Sequence, residues 1–233
     1  MTVDKWLACT DSVPMLEYAI GRLPARKVRL FACGLCRMFW DLLEDKRSRK
    51  AVVVAERFAD GLATERDRRA AETAAETASR RLYKEADPTM DEGSEASLVL
   101  RAAYLATHVT REEPFGVRTT AGSYYLLDRF AEASFISGRA RPLNVAYRVQ
   151  ADLLRDITGN IFRPVVLDRG ALPPLAAPMA ETMYEERCFD DMPILADALE
   201  DAGCDNADIL SHCRGPGPHV RGCWVLDLLL GRE

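Results

Sequence analysis

The chain has 233 residues, of which 48% are hydrophobic and 29% are charged, and its formal net charge is −5. A chain of this size buries about 70% of its unfolded surface, so neither a disulfide nor a metal is required for folding. The acidic balance argues against a dedicated nucleic-acid binder, because neutralising phosphates requires a basic surface. No apolar run approaches the roughly 18–20 residues that span a bilayer. We therefore expect neither a nucleic acid nor a membrane as partner.

The first residues and the cysteines indicate the cellular compartment of the protein. The first residues lack the basic start and apolar core of a secretory signal. The seven cysteines are an odd number and lie mostly within helical patterns, which is typical of reduced thiols rather than of a secreted disulfide framework. The sequence therefore predicts a cytoplasmic protein.

Helical periodicity dominates the first half of the chain, and strand alternation is almost absent. The predicted helices start at Ser12, cover residues 25–44, run from a cap at Ser48 to about Gly61, and cover residues 64–85. The 25–44 helix is apolar nearly all round and is expected to be buried. The 64–85 helix is rich in alanine and charge, begins with a capping box of Thr64 and Asp67, and is expected to be peripheral.

The second half continues the helical pattern. Helices are predicted over residues 94–108, 119–135, 143–157, 177–187, 193–202, 206–213 and 219–230. Residues 86–93 have the Pro, Gly and acidic composition of a linker, and 158–178 is interpreted as an extended connection with a short strand at 163–168. The predicted fold is all-α, with about ten helices. A soft division separates residues 1–158 from 159–233, and we expect the two regions to pack as one globular unit.

The segment 212–223 contains two histidines, two cysteines and two arginines around a Gly-Pro-Gly-Pro turn at 215–218. If a helix starts at His219, that residue and Cys223 lie four apart on one face and can share an ion. Cys213 would approach across the turn, with His212 or Cys204 as a fourth ligand. Thiolate and imidazole together would select zinc over magnesium or calcium. The spacing matches no standard zinc pattern, however, so buried apolar cysteines and a locally hydrogen-bonded histidine are the favoured interpretation.

The same segment offers a candidate site for an anion or a partner. Arg214, His219 and Arg221 flank the first turn of the predicted last helix, where unpaired N–H groups attract phosphate or carboxylate. The alternative is that both arginines pair with the acidic side chains of residues 185–201. The alternative is slightly favoured.

Two further groups contain side chains of reactive types. Cys33-Gly-Leu-Cys36 has redox spacing, but the motif lies mid-helix without a βαβ context, so core packing is the favoured role. His108 has no serine or cysteine motif beside it and is interpreted as a histidine at a helix C-terminus.

Several stretches resemble an abundant family of uncharacterised bacterial paralogues. They are Trp6-Leu-Ala-Cys-Thr-Asp11, Arg29-Leu-Phe-Ala-Cys-Gly-Leu-Cys-Arg37, Leu195-Ala-Asp-Ala-Leu-Glu-Asp-Ala-Gly203 and the C-terminal block His212-Cys-Arg-Gly-Pro-Gly-Pro-His-Val-Arg-Gly-Cys-Trp224. The resemblance covers both ends of the chain and is looser in the middle. It implies a reused module and carries over no activity, ligand or catalytic residue.

No complete nucleophile–base pair or metal motif accompanies the helical pattern. The sequence therefore predicts a non-enzymatic interaction or regulatory module with an unidentified protein partner and no cofactor, binding through Arg214, His219 and Arg221. The alternative is a metal- or anion-binding protein or enzyme that uses the 212–223 cluster, with zinc as the ion.

Overall fold

The computed structural model describes residues 1–87, 89–90, 94–112, 143–167 and 174–232. Within these ranges the chain forms eleven α-helices and two short 3₁₀ turns, and no strand, so the all-α prediction is confirmed. The fold divides into two compact units, one formed by Cys9–Ala151 and the other by Met1–Ala8 with Asp152–Glu233. The predicted division at 158/159 lies seven residues after the observed boundary at 151/152. The prediction also placed residues 1–8 in the N-terminal region, whereas they belong to the unit that contains the C-terminal helices.

Five described helices follow one another in the Cys9–Ala151 unit before residue 143, and from the second to the fifth each packs against the next. They are α2 (Ser12–Ala19), α3 (Ala25–Arg37), α4 (Lys46–Ala59), α5 (Glu65–Glu85) and α6 (Glu95–His108), preceded in the chain by α1 (Val3–Ala8) of the other unit. Helix α3 is buried continuously from Val28 to Cys36, as its nearly all-round apolar pattern predicted.

Two predicted helix boundaries in this unit are wrong. Helix α3 ends at Arg37 rather than near residue 44, because the backbone there changes to i→i+3 hydrogen bonds and continues as a 3₁₀ turn at Trp40–Leu42. Helix α4 is capped by Asp45, whose side chain accepts a hydrogen bond from Arg47 N at 2.8 Å, and not by Ser48.

The start of α5 is confirmed. Asp67 N donates to Thr64 Oγ1 at 3.2 Å, and Thr64 N donates to the Asp67 carboxylate at 2.9 Å, so aspartate completes the capping box in place of glutamate. Helix α5 buries only a narrow stripe, which includes Ala71, Ala75 and Ala78. Its peripheral position follows from this composition.

A buried arginine binds the segment that follows α6. One amino group of Arg29 donates to the carbonyls of Val109 and Arg111 at 2.7 and 2.8 Å, and the other donates to the carbonyl of Glu112 at 3.0 Å. These carbonyls lack helical partners, so the arginine satisfies groups that burial would otherwise leave unpaired.

The second unit combines the N-terminal helix with the C-terminal helices. After α7 (Leu143–Thr158), which crosses the boundary between the units, come α8 (Ala176–Glu186), α9 (Met192–Asp201), α10 (Ala207–Cys213) and α11 (Trp224–Leu230). Their core includes five completely buried side chains, those of Tyr184, Leu195, Ile209, Leu226 and Leu229. Arg155 of α7 donates to the Trp6 carbonyl at 3.1 Å and thereby holds α1 on this unit.

The remaining corrections concern the second half of the chain. Residues 163–167 form no strand, and the last position of the predicted strand lies outside the described residues, as does the whole predicted helix at 119–135. The last helix begins at Trp224 instead of residue 219, and Cys223 is its N-cap. None of the described helices combines the length and the apolar character that crossing a bilayer requires.

Candidate metal centre

Four side chains of the second unit converge on one point. Asp156, His212, His219 and Cys223 each offer one ligand-type atom, and these four atoms all lie within 4.8 Å of one another. The two histidines, the carboxylate and the thiol come from three separate segments of the chain. This convergence is the principal feature of the unit that helix packing alone does not explain.

Three local structures position these groups. Asp156 lies in the last turn of α7, and His212 lies in the last turn of α10. The chain then turns through Gly215-Pro-Gly-Pro218, with a cis bond before Pro218, and continues without helical structure to Cys223. His219 and Cys223 therefore share no helix face, and the spacing argument that paired them is wrong, although the irregular segment brings both to the cluster.

Asp156 is the centre of the cluster. It is 2% exposed, and its Oδ1 accepts from His219 Nδ1 at 2.8 Å and lies 3.1 Å from His212 Nε2. The backbone N–H of Val220 donates to Oδ2 at 3.1 Å. The carboxylate thus connects α7 to both sides of the 215–218 turn.

The electrostatics of the cluster follow from this geometry. Burial by itself would raise the pKa of Asp156, but the hydrogen bonds and charges of His212 and His219 outweigh it and hold that pKa below its ordinary value. Burial opposes the charged form of His219, yet the hydrogen bond to Asp156 prevails and raises the pKa of His219. For Cys223, burial and the charge of Asp156 both raise the pKa of the thiol well above its ordinary value.

His212 is held between the other members of the cluster and the last helix. Its Nε2 lies 3.2 Å from Cys223 Sγ, and its ring centre lies 4.9 Å from that of His219 and 5.2 Å from that of Trp224. Trp224 in turn covers Gly159, where an added Cβ would meet the indole at 3.0 Å. The imidazole orientation is therefore set by packing on the aromatic side as well as by polar contacts.

A cavity of about 240 Å³ adjoins the cluster. Asp156, His212 and His219 line it together with the 215–218 turn and with Asp152 and Arg155, whereas Cys223 is fully buried behind them. The side chain of His212 is 17% exposed. An ion entering from this cavity would meet the carboxylate and the imidazoles before the thiol.

The predicted metal ligands are thus only partly brought together. His212, His219 and Cys223 belong to the cluster, while Cys213 is fully buried in the hydrophobic core, where burial raises the pKa of its thiol to about 12. Cys204 packs at the margin of the same core. Both cysteines lie outside the four-residue group, and the favoured interpretation of Cys213 as a buried apolar residue agrees with its position.

Sequence reasoning missed Asp156. A signal was present, because this carboxylate occupies the apolar face of α7 beside Leu153 and Ile157, which are completely buried. An isolated acid on a buried helix face requires a partner of opposite charge or a metal. The sequence could not identify that partner.

The arginines proposed for an anion site pair with carboxylates of the same unit. Arg214 donates to Asp197 at 2.8 Å and also contacts Glu200, and Arg221 is 8% exposed and donates to Glu185 Oε2 at 2.7 Å. His219 is engaged by Asp156. These contacts agree with the alternative interpretation, and a partner surface at Arg214, His219 and Arg221 stays a prediction.

The other candidate groups belong to the Cys9–Ala151 unit. Cys33 and Cys36 are buried, and desolvation raises the pKa of both thiols, which agrees with core packing rather than with a reactive redox motif. His108 ends α6 as predicted. Burial lowers its pKa to about 4, with a smaller contribution from Arg111, so the imidazole is neutral at pH 7.

No protein-family model matches the chain, and no curated protein or solved structure is significantly similar to it. The resemblance to bacterial paralogues therefore stays a prediction.

Proposed function

We propose that the chain binds one transition-metal ion, zinc in particular, through Asp156, His212, His219 and Cys223. The observation that carries this proposal is the convergence of four different ligand atoms within 4.8 Å in a mostly buried position. Thiolate and imidazole ligands favour zinc, whereas magnesium and calcium require sites made of oxygen atoms.

The distances in the cluster suit a tetrahedral ion. Zinc–ligand bonds of about 2.0–2.3 Å place the ligand atoms of a tetrahedron about 3.3–3.8 Å apart. Three of the separations, 2.8 Å for His219–Asp156, 3.1 Å for His212–Asp156 and 3.2 Å for His212–Cys223, are slightly below that range, and all four atoms lie within 4.8 Å of one another. Small side-chain movements would therefore convert the hydrogen-bonded cluster into a coordination shell.

Charge balance also supports the proposal. The carboxylate of Asp156 and the thiolate of Cys223 together would carry two negative charges, which a divalent ion neutralises. A buried thiolate beside a buried carboxylate is strongly unfavourable without such an ion, as the raised pKa of Cys223 indicates. Metal binding would release the proton that the Cys223 thiol holds in the free protein.

Four protein ligands complete a tetrahedral shell, so the ion would have a structural role. It would join the end of α7 to the end of α10 and to the irregular segment before α11. Since Asp156 is 63 residues from His219 in the chain, the ion would close a long loop within the unit. The interaction role predicted from the sequence is independent of this proposal.

The test is metal content and metal affinity in a pair of matched cysteine variants. Cys223→Ala removes a proposed ligand, and Cys213→Ala removes a fully buried cysteine that lies outside the cluster. We expect close to one zinc per chain in the unmodified protein and in Cys213→Ala, and a loss of at least about tenfold in zinc affinity for Cys223→Ala.

Cobalt substitution supplies an independent readout. A thiolate ligand gives Co²⁺ a charge-transfer absorption that Cys223→Ala would abolish and Cys213→Ala would retain. Circular dichroism in a chelator establishes that both variants are folded. Absence of zinc uptake by the folded protein, or equal affinities in the two variants, would overturn the proposal.

A further inference from the structure

A groove lies between α4 and α5 of the Cys9–Ala151 unit. Its volume is about 520 Å³, and its apolar lining includes Val53, Val54, Leu62 and Ala74. Val53 is 38% exposed and Leu62 is 54% exposed. Exposed aliphatic side chains that line a groove, rather than standing singly on a convex surface, mark an interaction site.

The rim of the groove on the α4 side is basic. Arg47, Lys50 and Arg57 recur at spacings of three and seven residues, which places them along one side of the helix. The one acidic residue that lines the groove is Asp67, and its carboxylate is engaged by Thr64 in the capping box of α5.

Two of the three cations form no salt bridge among the described residues. Arg47 pairs with Asp45 at 2.7 Å. Arg57 donates to the carbonyl of Leu62 at 3.2 Å and contributes through its charge to the lowered pKa of Asp67. Lys50 is exposed and makes no ion pair within the described ranges. The groove therefore combines an apolar floor with excess positive charge on one side, in a chain whose net charge is −5.

We infer that this groove binds an amphipathic helix of a partner protein, with an apolar stripe flanked on one side by acidic residues. Neighbouring helices such as α4 and α5 present a natural seat for a third helix, whose residues at i, i+3, i+4 and i+7 enter the groove. Arg47, Lys50 and Arg57 would meet acidic side chains along one edge and fix the orientation of the bound helix. This inference concerns the Cys9–Ala151 unit and does not depend on metal binding.

The test uses two labelled synthetic peptides of about 18 residues, a length at which a helix of good formers is populated. Both carry the same leucine stripe, flanked on one side by glutamate in the first peptide and by glutamine in the second. Fluorescence anisotropy is expected to show tighter binding of the glutamate peptide, and its advantage should shrink as salt is added.

Charge-reversal variants locate the binding site. We expect Lys50→Glu to weaken binding of the glutamate peptide about fivefold to tenfold, because it replaces an attraction by a repulsion. Val53→Asp should weaken both peptides. Lys84→Glu is the matched control, since Lys84 is also exposed, lies at the C-terminal end of α5 and does not line the groove.

Three outcomes would overturn the inference. The first is equal affinity for the two peptides, and the second is the same loss in Lys84→Glu as in Lys50→Glu. The third is self-association of the purified chain that Lys50→Glu abolishes, which would assign the groove to a second copy of the chain. Unchanged circular dichroism in each variant excludes a folding defect as the cause of weakened binding.

Discussion

Replacing Asp156 by asparagine is the most direct perturbation of the cluster, because the side chain keeps its size and loses its charge. The carboxylate accepts from His219 Nδ1 at 2.8 Å and from Val220 N at 3.1 Å, and its Oδ1 lies 3.1 Å from His212 Nε2. An amide has one acceptor oxygen, and its NH₂ group would face donors. Asp156→Asn therefore leaves at least one buried donor without a partner.

The expected loss of stability follows from these contacts. A charge-assisted hydrogen bond contributes about 1.5–3 kcal/mol, and an unsatisfied buried donor costs about 1–3 kcal/mol. Breaking a buried ion pair by removing one partner costs about 3–5 kcal/mol in total. We expect Asp156→Asn to lower the free energy of unfolding by about 3–4 kcal/mol in a chelator, and by more when zinc stabilises the unmodified protein.

The assay is urea denaturation followed by circular dichroism, with chelator and with zinc. Asp152→Asn is the matched control. It lies one turn earlier on α7, is 42% exposed, and forms an ion pair with Arg155 that should contribute less than about 1 kcal/mol. A change below about 1 kcal/mol for Asp156→Asn in chelator would refute the central role of the carboxylate, and an unchanged response to zinc would refute its role as a ligand.

Three further predictions concern residues around the cluster and in the other unit. Because burial lowers the pKa of His108 to about 4, the unfolded chain binds a proton below its ordinary pKa of 6.5 while the folded chain does not, so stability is lost as pH falls. Between about pH 7.5 and pH 5, protonation of His108 in the unfolded chain should lower the free energy of unfolding by about 2 kcal/mol, as measured by urea titrations. His108→Gln should lose that part of the pH dependence, and an unchanged dependence of stability on pH in this variant would contradict the role assigned to His108. Trp224→Ala should lower the free energy of unfolding by about 2–3 kcal/mol, which is less than the loss for a fully buried aromatic, because the indole is only partly buried against the core. A loss below about 1 kcal/mol in urea denaturation would show that the contacts with His212 and Gly159 contribute little to stability. Gly159→Ala combines a φ of +62° with a Cβ 3.0 Å from the indole and should cost about 2–3 kcal/mol. In a Trp224→Ala background, Gly159→Ala should cost only about 1 kcal/mol, because the indole that its Cβ would contact is gone. A double-mutant cycle measures this difference, and additive losses would contradict a steric conflict between Cβ and the indole.

The fold was predicted where its causes are local. The 25–44 pattern identified the buried helix α3, and Thr64 with Asp67 identified the start of α5, because periodicity and capping depend on residues within one or two turns. The end of α3 was missed because a run of apolar residues continues beyond it, and Phe39 and Leu43 are buried on either side of the 3₁₀ turn without being part of a helix. The last helix was placed too early because His219 follows a proline, which is a frequent helix start.

The candidate site was located by composition but assembled incorrectly. The density of histidine and cysteine in 212–223 pointed to the correct segment, and three of the four cluster members were among the predicted ligands. Cys213 was included because it is close to the turn in sequence, yet it faces the hydrophobic core. Which of two neighbouring residues faces inward depends on what packs against the helix, and a single sequence does not contain that information.

The sequence alone determined the helical class, the buried and peripheral helices and the segment rich in metal-binding residue types, because each depends on composition or on spacing within a few residues. Only the tertiary structure decided that Asp156, 63 residues before His219, completes the cluster, and that Arg214 and Arg221 are occupied by carboxylates. The physical reason is that hydrogen bonds and metal coordination act over about 3 Å. Groups distant in the chain reach that separation only when helix packing brings α7 against the turn that precedes α11.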